Sequence, residues 1–284
     1  MNKIAFVVLH FFTYDDTVDC VESILSLKNA KSCEIIVVDN GSTNGSGKLL
    51  HTKYKTVSNV HVLLNEQNLG FARGNNVGYT FAKEKLNADI VVTVNNDIVI
   101  EQKDFIPKLQ AVMETVDVCG PDIISEKTGK HSNPQHFEGI SKKKLKQVIV
   151  KHELVKFAYI VCNFKGFDTI YQRFIDKITP DKTESEYNRD YENVVLHGAF
   201  IVFGPRFVEQ EQVAFDPRTF LYMEEDLLFI RCQRKGYTIR YTPSLQVIHD
   251  EHSSVNYVQA DARRRMISYL TNQIRSEKIV LTEL

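Results

Sequence analysis

The stretch IVVTVNND, residues 90–97, joins an apolar, β-branched run to two amides and a carboxylate. The run predicts a buried strand, and the polar residues would lie at its carboxyl end. Ligands of open α/β sheets bind beyond the carboxyl ends of the strands. Asp97 is therefore a candidate ligand of a metal-bound phosphate, although Asn and Asp are also common turn residues.

A second apolar run, residues 34–38, ends in the same way at Asp39 and is followed by the polar loop NGSTNGS, residues 40–46. Two β-branched runs that each end in an Asp predict two acidic groups at one crevice. One such carboxylate would indicate a turn, whereas two indicate a binding site.

The segment NLGFARGNNVGY, residues 68–79, follows a third apolar run at residues 60–64 and leads into a helix. Gly70 and Gly74 are predicted to let the backbone pass close to a ligand, and unpaired N–H groups at the helix start would suit an anion. The spacing is not the G-x-G-x-x-G fingerprint of dinucleotide-binding folds, and the chain contains no P-loop motif.

Strand and helix signals alternate through the first half of the chain. A first strand at residues 4–12 precedes a helix with Asp16 or Thr17 as its N-cap, and a helix at residues 105–115 precedes a short strand at residues 116–119. This alternation is typical of βαβ units and predicts an α/β fold with a parallel sheet covered by helices.

An acidic cluster occurs in FLYMEEDLLFIRCQRKGY, residues 220–237, where Glu224, Glu225 and Asp226 precede an apolar run. Acids in a first helical turn also suit the helix dipole, so simple capping is the alternative to a chemical role. Further on, His249 follows another strand-like run, where a single His is more often structural than a ligand.

Two helical segments in the second half carry basic residues. In residues 142–161, six lysines alternate with apolar side chains, so the helix could lie on an anionic membrane, hold a lipid diphosphate, or present a solvated face. The C-terminal helix is predicted to pack through one apolar stripe, beside three arginines. The stripe consists of Val258, Ala262, Met266, Leu270 and Ile274.

Composition is that of an ordinary globular enzyme, with 284 residues, 43% of them hydrophobic and 25% charged. The formal net charge of −1 argues against nucleic acid as the main partner. Five Cys without a C-x-x-C pair indicate reduced thiols and exclude a zinc ribbon. The first apolar run lacks a signal-peptide cleavage site and no run could span a bilayer, so we expect a cytoplasmic protein with at most a peripheral contact at the inner face of the membrane.

Six pieces of the chain, taken in order, resemble the inverting glycosyltransferases of family 2, most closely the rhamnosyltransferase-like branch that decorates bacterial surface polysaccharides. The pieces are VVDNGSTNGS, NLGFARGNNVG, VNNDI, HGAFIVFGP, LYMEEDLLF and VIHDEHSS, and they cover residues 3 to about 255. The resemblance implies a GT-A fold with a C-terminal helical region, a nucleotide-sugar donor, and a glycan or lipid-linked acceptor. It assigns residues 1–120 to the donor and residues 121–284 to the acceptor and catalysis.

The resemblance also implies the donor-binding residues. Asp39 would recognise the base, where a carboxylate can accept the imide N3–H of uracil or thymine, so UDP and dTDP donors are both allowed. Phe11 could stack on the base or belong to the core, and Arg73 could contact the diphosphate or lie in solvent. The other implied residues are Asn68, Gly70, Asn76, Asn95 and Asn96.

A divalent cation that bridges the two phosphates would neutralise the charge of the leaving group. Asp97 is the one charged ligand in NND, because Asn95 stands where the family usually has another acid. The resemblance places His249 near the metal as a second ligand, and a set of oxygen and imidazole ligands suits Mn²⁺ and tolerates Mg²⁺.

Inversion needs one base opposite the leaving group to take the proton of the attacking hydroxyl. The resemblance assigns this base to Asp226, with Glu225 before it, and the triple acid leaves the register open by one residue. A neighbouring carboxylate would raise the pKa of the base towards neutrality.

Two other functions are compatible with parts of the pattern. A sugar nucleotidyltransferase also places acidic metal ligands after strands, but it needs a glycine-rich basic first loop, which residues 9–17 lack. The second is nucleotide-sugar binding without catalysis, which would explain why Asn95 stands where the family usually has an acid.

Overall fold

The computed structural model describes residues 2–161, 184–250 and 262–284. In these residues nine strands form one sheet that is flanked by helices. The strands are β1 (Ile4–His10), β2 (Cys33–Asp39), β3 (Val60–Leu64), β4 (Ile90–Asn95), β5 (Ile98–Val99), β6 (Val118–Ser125), β7 (Tyr191–Glu192), β8 (Phe200–Phe203) and β9 (Ile239–His249). The helices are α1 (Tyr14–Leu25), α2 (Ser46–Tyr54), α3 (Gly70–Glu84), α4 (Phe105–Val112), α5 (Lys142–Val161), α6 (Pro205–Gln210), α7 (Glu224–Lys235) and α8 (Ala262–Glu283).

The strands follow the order β3-β2-β1-β4-β8-β6-β9-β5, and β7 pairs with Arg240 and Tyr241 of β9. The strands β1 to β4 are parallel, β8 runs against its neighbours β4 and β6, and β6 and β9 are again parallel. The long strands therefore share one direction apart from β8. This arrangement confirms the predicted α/β class with a mostly parallel, helix-covered sheet.

The central strands are apolar at every position because both faces of the sheet are covered. In β1, Ile4, Phe6 and Val8 pack on one face with α1, α2 and α4, whereas Ala5 and Val7 pack on the other with α3, α6 and α7. The same alternation occurs in β2. Buried runs that read as continuously hydrophobic are thus the two-sided core of the sheet, and their polar ends mark its edge.

The helices α5 and α8 pack against each other beside α7. Leu145 and Ile149 of α5 contact Leu227 and Val280, while Tyr159 packs with Leu270 and Ile274 of α8. The apolar stripe that made α5 a candidate membrane helix is therefore a packing face. In the C-terminal stripe Met266, Leu270 and Ile274 pack as predicted, whereas Ala262 is exposed. Among the described residues, no helix combines the length and apolarity needed to cross a bilayer.

The predicted N-cap of α1 was wrong, because the helix begins at Tyr14 with Thr13 as its N-cap. The amide of Asn96 donates to Thr13 Oγ1 (2.6 Å) and Thr17 Oγ1 (2.9 Å), and these bonds from a distant loop fix the start of the helix. The predicted strand at residues 116–119 begins and ends later, because β6 continues to pair with β9 as far as Ser125.

The four described cysteines, Cys20, Cys33, Cys119 and Cys232, are free and buried. Residues 162–183 and 251–261 lie outside the described part of the chain. They include Cys162, Val258 and the last four residues of VIHDEHSS, residues 251–254.

Candidate functional site

The short strand β5 pairs with the end of β9, and this pairing places Asp97 beside His249. The Asp97 Oδ1 atom lies 3.2 Å from His249 Nε2, close to the ~3 Å between adjacent ligand atoms that each bind one cation at ~2.1 Å. Asp97 Oδ1 is buried and forms no hydrogen bond among the described residues. Among all the residues that the structure describes, no group of three or more His, Cys, Asp or Glu side chains could hold a metal ion. The pair therefore offers two protein ligands for a divalent cation.

The loop HGA, residues 197–199, connects this pair to the rest of the site. The carbonyl of Ala199 accepts the N–H of Asn95 at the end of β4 (2.8 Å), and the ring of His197 lies 6.1 Å from the ring of His249. Burial and, to a smaller extent, the neighbouring His249 lower the pKa of His197 to about 4. Because Ala199 N–H donates to His197 Nδ1 (3.2 Å), the neutral ring carries its proton on Nε2.

His197 was missed as a functional residue in the sequence. The piece HGAFIVFGP contributed to the family resemblance, but nothing in the sequence indicated that its first residue would contact the Asp97–His249 pair. That contact depends on β8 pairing antiparallel to β4, between strands more than 100 positions apart in the chain.

Glu225 is the acid that faces the HGA loop. Its Oε1 accepts the N–H of Gly198 (3.1 Å), and a Cβ on Gly198 would collide with that oxygen. Glu225 is thus held one residue away from His197. The two residues before the helix, Tyr222 and Met223, both have left-handed backbone conformations, with φ of 75° and 65°. Strain of this kind is common at functional sites, where the surrounding structure fixes an unfavourable turn.

The two flanking acids are more deeply buried than Glu225, with Glu224 2% and Asp226 5% exposed. Burial raises the pKa of Glu224 to about 8 and that of Asp226 to about 7, and the charge of Glu225 contributes to both shifts. Burial also raises the pKa of Glu225 above its ordinary value. These upward shifts are opposite to the lowering of the pKa that a carboxylate gains from the N–H groups of a helix start.

All three acids line a cleft of about 970 Å³ that extends from His197 to α5 and α8. Its other walls are formed by Phe71 and by residues 135–141. The cleft therefore begins beside the Asp97–His249 pair and ends among the C-terminal helices.

Asp39 lies at the end of β2 as predicted, and it is 6% exposed. Its Oδ1 accepts the N–H of Ser42 (3.1 Å) and lies 4.0 Å from His10 Nε2, while its carboxylate packs against Gly47 at the start of α2. Burial lowers the pKa of His10 to about 4, although Asp39 opposes the shift. His10 is thus neutral, and the carboxylate of Asp39 lies next to a polar loop.

Asn40, which follows Asp39, organises the predicted anion-binding loop. Its Nδ2 donates to Asn68 Oδ1 (3.1 Å) and to the carbonyl of Gly70 (3.1 Å), and its Oδ1 accepts the N–H of Leu69 (3.0 Å). Asn68 Oδ1 also accepts the N–H of Gly70 (2.8 Å). The side chain of Asn68 therefore shapes the loop instead of pointing to a donor.

The glycines of this loop serve close packing within the protein. Gly70 has φ +82°, and a Cβ there would collide with the carbonyl of Phe220, which also accepts the N–H of Phe71 (2.7 Å). A Cβ on Gly74 would lie 2.7 Å from the Leu9 side chain. The first two N–H groups of α3, those of Gly70 and Phe71, therefore bond to protein atoms and not to an anion.

Two other predicted donor contacts are occupied by backbone partners. The amide of Asn76 forms two bonds to Phe215, donating to its carbonyl (2.8 Å) and accepting its N–H (2.9 Å). Asn96 donates its amide to Thr13 and Thr17, as described for α1. Both side chains therefore brace the loops of the site, and their assignment to the donor stays a prediction.

The remaining predicted donor residues are Phe11, Arg73 and Asn95. Phe11 is half-buried and its ring lies 4.2 Å from that of Phe12, beyond the end of β1. Arg73 is exposed and its Nε donates to the carbonyl of Pro217 (2.8 Å), which leaves the other guanidinium nitrogens available. Asn95 ends β4 with a partly exposed side chain, next to the Asp97–His249 pair.

Comparison with known proteins gives a consistent family. The family model described as Glycosyl transferase family 2 matches residues 6–177, which is more than half of the chain. The glycosyltransferase GlyG of Streptococcus pneumoniae serotype 4 (strain ATCC BAA-334 / TIGR4) is 32% identical over 97 residues, which cover 34% of this chain and 31% of GlyG.

Two solved structures share the fold at 14% sequence identity. One is S. aureus TarS 1-349 in complex with UDP, with a TM-score of 0.53 over 94% of this chain and 65% of TarS 1-349. The other is GalNAc-T7 with UDP, GalNAc and Mn²⁺, with a TM-score of 0.57 over 88% of this chain and 44% of that protein. The chain thus spans less than two thirds of each of these relatives. The likenesses confirm the predicted GT-A-like fold.

Proposed function

Since the chain belongs to glycosyl transferase family 2, we propose that it transfers a sugar from a UDP- or dTDP-sugar to a glycan or lipid-linked glycan, with inversion at the anomeric carbon. The observation that carries the proposal is the position of the HGA loop, residues 197–199. This loop contacts the Asp97–His249 pair on one side and Glu225 on the other. A donor diphosphate and an attacking hydroxyl would meet between them. A role in bacterial surface polysaccharide synthesis, in the rhamnosyltransferase-like branch, is part of the proposal.

The donor would lie along the carboxyl edge of the parallel strands, with its base near Asp39 and its diphosphate near Asp97 and His249. Asp39 ends β2 and Asp97 follows the end of β4, so both lie at the carboxyl edge of the parallel strands, where α/β folds bind ligands. A divalent cation such as Mn²⁺ or Mg²⁺, held by Asp97 and His249, would neutralise the charge of the departing diphosphate. The position of the buried Asp97 Oδ1 supports this role, because its distance of 3.2 Å from His249 Nε2 lets both atoms reach one cation.

Glu225 is the better candidate for the general base than Asp226. Its carboxylate is anchored by Gly198, next to the position of the diphosphate, whereas the pKa of Asp226 responds to Glu277 of α8 at the other end of the cleft. The structure therefore favours moving the base by one residue within the triple acid. Burial raises the pKa of Glu225, which makes it a stronger base than an exposed carboxylate.

The reaction is a direct displacement. The acceptor oxygen forms a bond to the anomeric carbon as the bond from that carbon to the diphosphate oxygen breaks, so the configuration inverts. Glu225 takes the proton of the attacking hydroxyl on the carboxylate oxygen that is not bonded to Gly198. His197, neutral and protonated on Nε2, can donate that hydrogen to a donor oxygen.

A peripheral membrane contact, which would suit a lipid-linked acceptor, is supported by the face of α5 that points away from α8. Val150, Leu154, Phe157 and Val161 follow each other at helical spacing there, and each is more than half exposed. Lysines precede them at residues 142–144 and 146. We expect sedimentation with phosphatidylglycerol vesicles and little with phosphatidylcholine vesicles, and equal behaviour of Leu154→Glu would remove this face from the proposal.

The alternative function is nucleotide-sugar binding without turnover, and Asn95 is the observation that favours it. A neutral residue in this position leaves one carboxylate in NND, so the metal would be held more weakly. The two functions share the donor site and differ in the need for Glu225.

A thermal-shift screen tests the donor assignment. We expect UDP- or dTDP-sugars with Mn²⁺ to raise the melting temperature of the protein, and GDP-sugars to have little effect, because the larger purine ring places its N–H donors differently from the N3–H of uracil or thymine. A shift of equal size for GDP-sugars would contradict the base assignment. No shift with any nucleotide sugar would contradict the proposed function.

A further inference from the structure

The end of the cleft that is remote from the Asp97–His249 pair contains polar groups that the proposed mechanism does not use. Glu277 of α8 is 1% exposed, and its Oε1 accepts hydrogen bonds from His152 Nδ1 (2.7 Å) and Gln273 Nε2 (3.1 Å). These three residues line the cleft together with Tyr269. They come from α5 and α8, so the site depends on the packing of these two helices.

Glu277 has one oxygen that is not accounted for. Its Oε2 is buried and has no hydrogen-bond partner within the described residues, and the same holds for Glu224 Oε1 across the cleft. A buried carboxylate oxygen without a donor is costly, and in a cleft it indicates that a ligand supplies the donor. Two unsatisfied carboxyl oxygens on residues that line one cleft favour a ligand with several O–H groups.

The charge of the cleft restricts the ligand further. Four carboxyl groups line it near this end, from Glu224, Glu225, Asp226 and Glu277, together with the ammonium of Lys144 and the imidazole of His152. A phosphate would find one ammonium there, beside the unpaired carboxylate oxygen of Glu277, so this region does not suit the lipid diphosphate of an acceptor. A neutral, hydroxyl-rich molecule would not be repelled.

An aromatic surface completes the lining. Tyr269 is 37% exposed in the cleft, and its ring lies 4.9 Å from that of Tyr222, nearly at a right angle. A partly exposed ring that is held in place offers an apolar face beside polar acceptors, which is the combination found in small-molecule sites.

We propose that Glu277, with His152, Gln273 and Tyr269, forms a subsite that binds a neutral sugar unit through a hydroxyl donated to Glu277 Oε2. The identification of this sugar as part of the acceptor rests on the proposed function, whereas its binding does not. The subsite would hold the acceptor at the far end of the cleft, so that its reactive hydroxyl lies near Glu225. Glu277 is therefore a residue that sets acceptor affinity and takes no part in the chemical step.

The test uses the full-length protein and neutral probes, the methyl glycosides of glucose, galactose, N-acetylglucosamine and rhamnose. Their dissociation constants are measured by titration with saturation-transfer NMR. In Glu277→Gln, His152 and Gln273 need an acceptor at Oε1, so the amide NH₂ takes the place of Oε2. We expect at least one glycoside to bind the wild-type protein and its dissociation constant to rise at least about fivefold in this variant, because a hydrogen bond to a charged group is lost.

Glu153→Gln is the matched control, since Glu153 joins the same two helices through Lys278 (2.6 Å) on the exposed side and does not line the cleft. It should bind glycosides as the wild type does. Tyr269→Ala should weaken glycoside binding as well. Because the Tyr269 side chain is partly exposed, its removal should not unfold the protein, so this variant tests the subsite even if Glu277→Gln lowers the melting temperature. Equal affinities in Tyr269→Ala and the control would overturn the subsite.

Two further outcomes are decisive. Failure of every glycoside to bind the wild type, or binding of glucose 1-phosphate as tight as that of methyl glucoside, would overturn the subsite. Hydrolysis of UDP- and dTDP-sugars by the same samples tests the proposed function separately. Glycoside binding without any hydrolysis would contradict the transferase and leave the subsite standing, whereas hydrolysis without glycoside binding would do the reverse.

Discussion

Replacing Glu225 with Gln should abolish most turnover and leave the donor site intact. The amide oxygen can still accept the N–H of Gly198, which Oε1 accepts at 3.1 Å in the wild type. The substitution therefore removes one function, the ability of the second oxygen to take a proton. General bases contribute about 10² to 10⁴-fold to rates, and we expect a loss in that range.

Donor hydrolysis provides the assay, because water replaces the acceptor and the same base must act. Initial rates of nucleoside diphosphate release are measured from a UDP- or dTDP-sugar with Mn²⁺, and donor affinity is measured by calorimetry. The rate should fall in Glu225→Gln while the affinity changes little, since Glu225 acts in the transition state and does not hold the donor. The buried position raises the pKa of Glu225. The wild-type rate should therefore rise with pH through that pKa, and the residual rate of the variant should lack this rise.

Asp226→Asn is the matched control, one residue away in the same turn. The pKa of Asp226 is raised to about 7, so it could also act as a base near neutral pH. The contact of Glu225 with the HGA loop predicts that Asp226→Asn loses much less activity. If the Asp226 variant is inactive and the Glu225 variant active, the base is the residue that the sequence resemblance assigned. If both remain active, the acidic turn is not catalytic.

Three other perturbations test separate parts of the site. Asp97→Asn should abolish the Mn²⁺-dependent thermal shift by the donor and His249→Ala should weaken it, whereas a full Mn²⁺ response in the Asp97 variant would refute the metal assignment. Asp39→Ala should weaken UDP or dTDP binding by about 1–3 kcal/mol in calorimetry, the usual loss of a charged hydrogen bond, and unchanged affinity would remove Asp39 from the site. Burial raises the pKa of Glu224 to about 8, so the unfolded chain releases this proton at lower pH than the folded protein does, and stability should fall as the pH rises from about 4.5 to 8. Glu224→Gln should make the melting temperature less dependent on pH in that range, and an identical pH profile would show that Glu224 is ionised in the folded protein.

The sheet and the position of Asp97 at its edge could be predicted because local pattern determines them. Apolar runs that end in polar residues mark buried strands and their carboxyl ends, and the ends of neighbouring strands meet at one edge. The pairing of Asp97 with His249 also needed the family resemblance, since a lone His after a strand has no defined partner.

The amide side chains could not be assigned from sequence. Asn76 bonds to Phe215 and Asn96 to Thr13, and these partners lie far away along the chain. An Asn that lies in a ligand-like motif is therefore indistinguishable from one that braces the loop. The choice between Glu225 and Asp226 is similar, because it depends on which acid the HGA loop approaches.

The helix α5 shows a different limit. Its apolar positions Leu145, Ile149 and Tyr159 predicted an amphipathic face, but a sequence pattern does not say whether a face meets a membrane or another helix. In the structure α8 covers it, and other apolar residues occupy the exposed side.

In the proposed function, the chain turns over a nucleotide sugar at the Asp97–His249 pair. The most direct measurement is the release of nucleoside diphosphate from a panel of UDP-, dTDP- and GDP-sugars by the wild-type protein, with Mn²⁺ and with EDTA. We predict release from a UDP- or dTDP-sugar that requires Mn²⁺ and is abolished by EDTA. Release that EDTA leaves undiminished, or no release from any sugar in the panel, would contradict the claim.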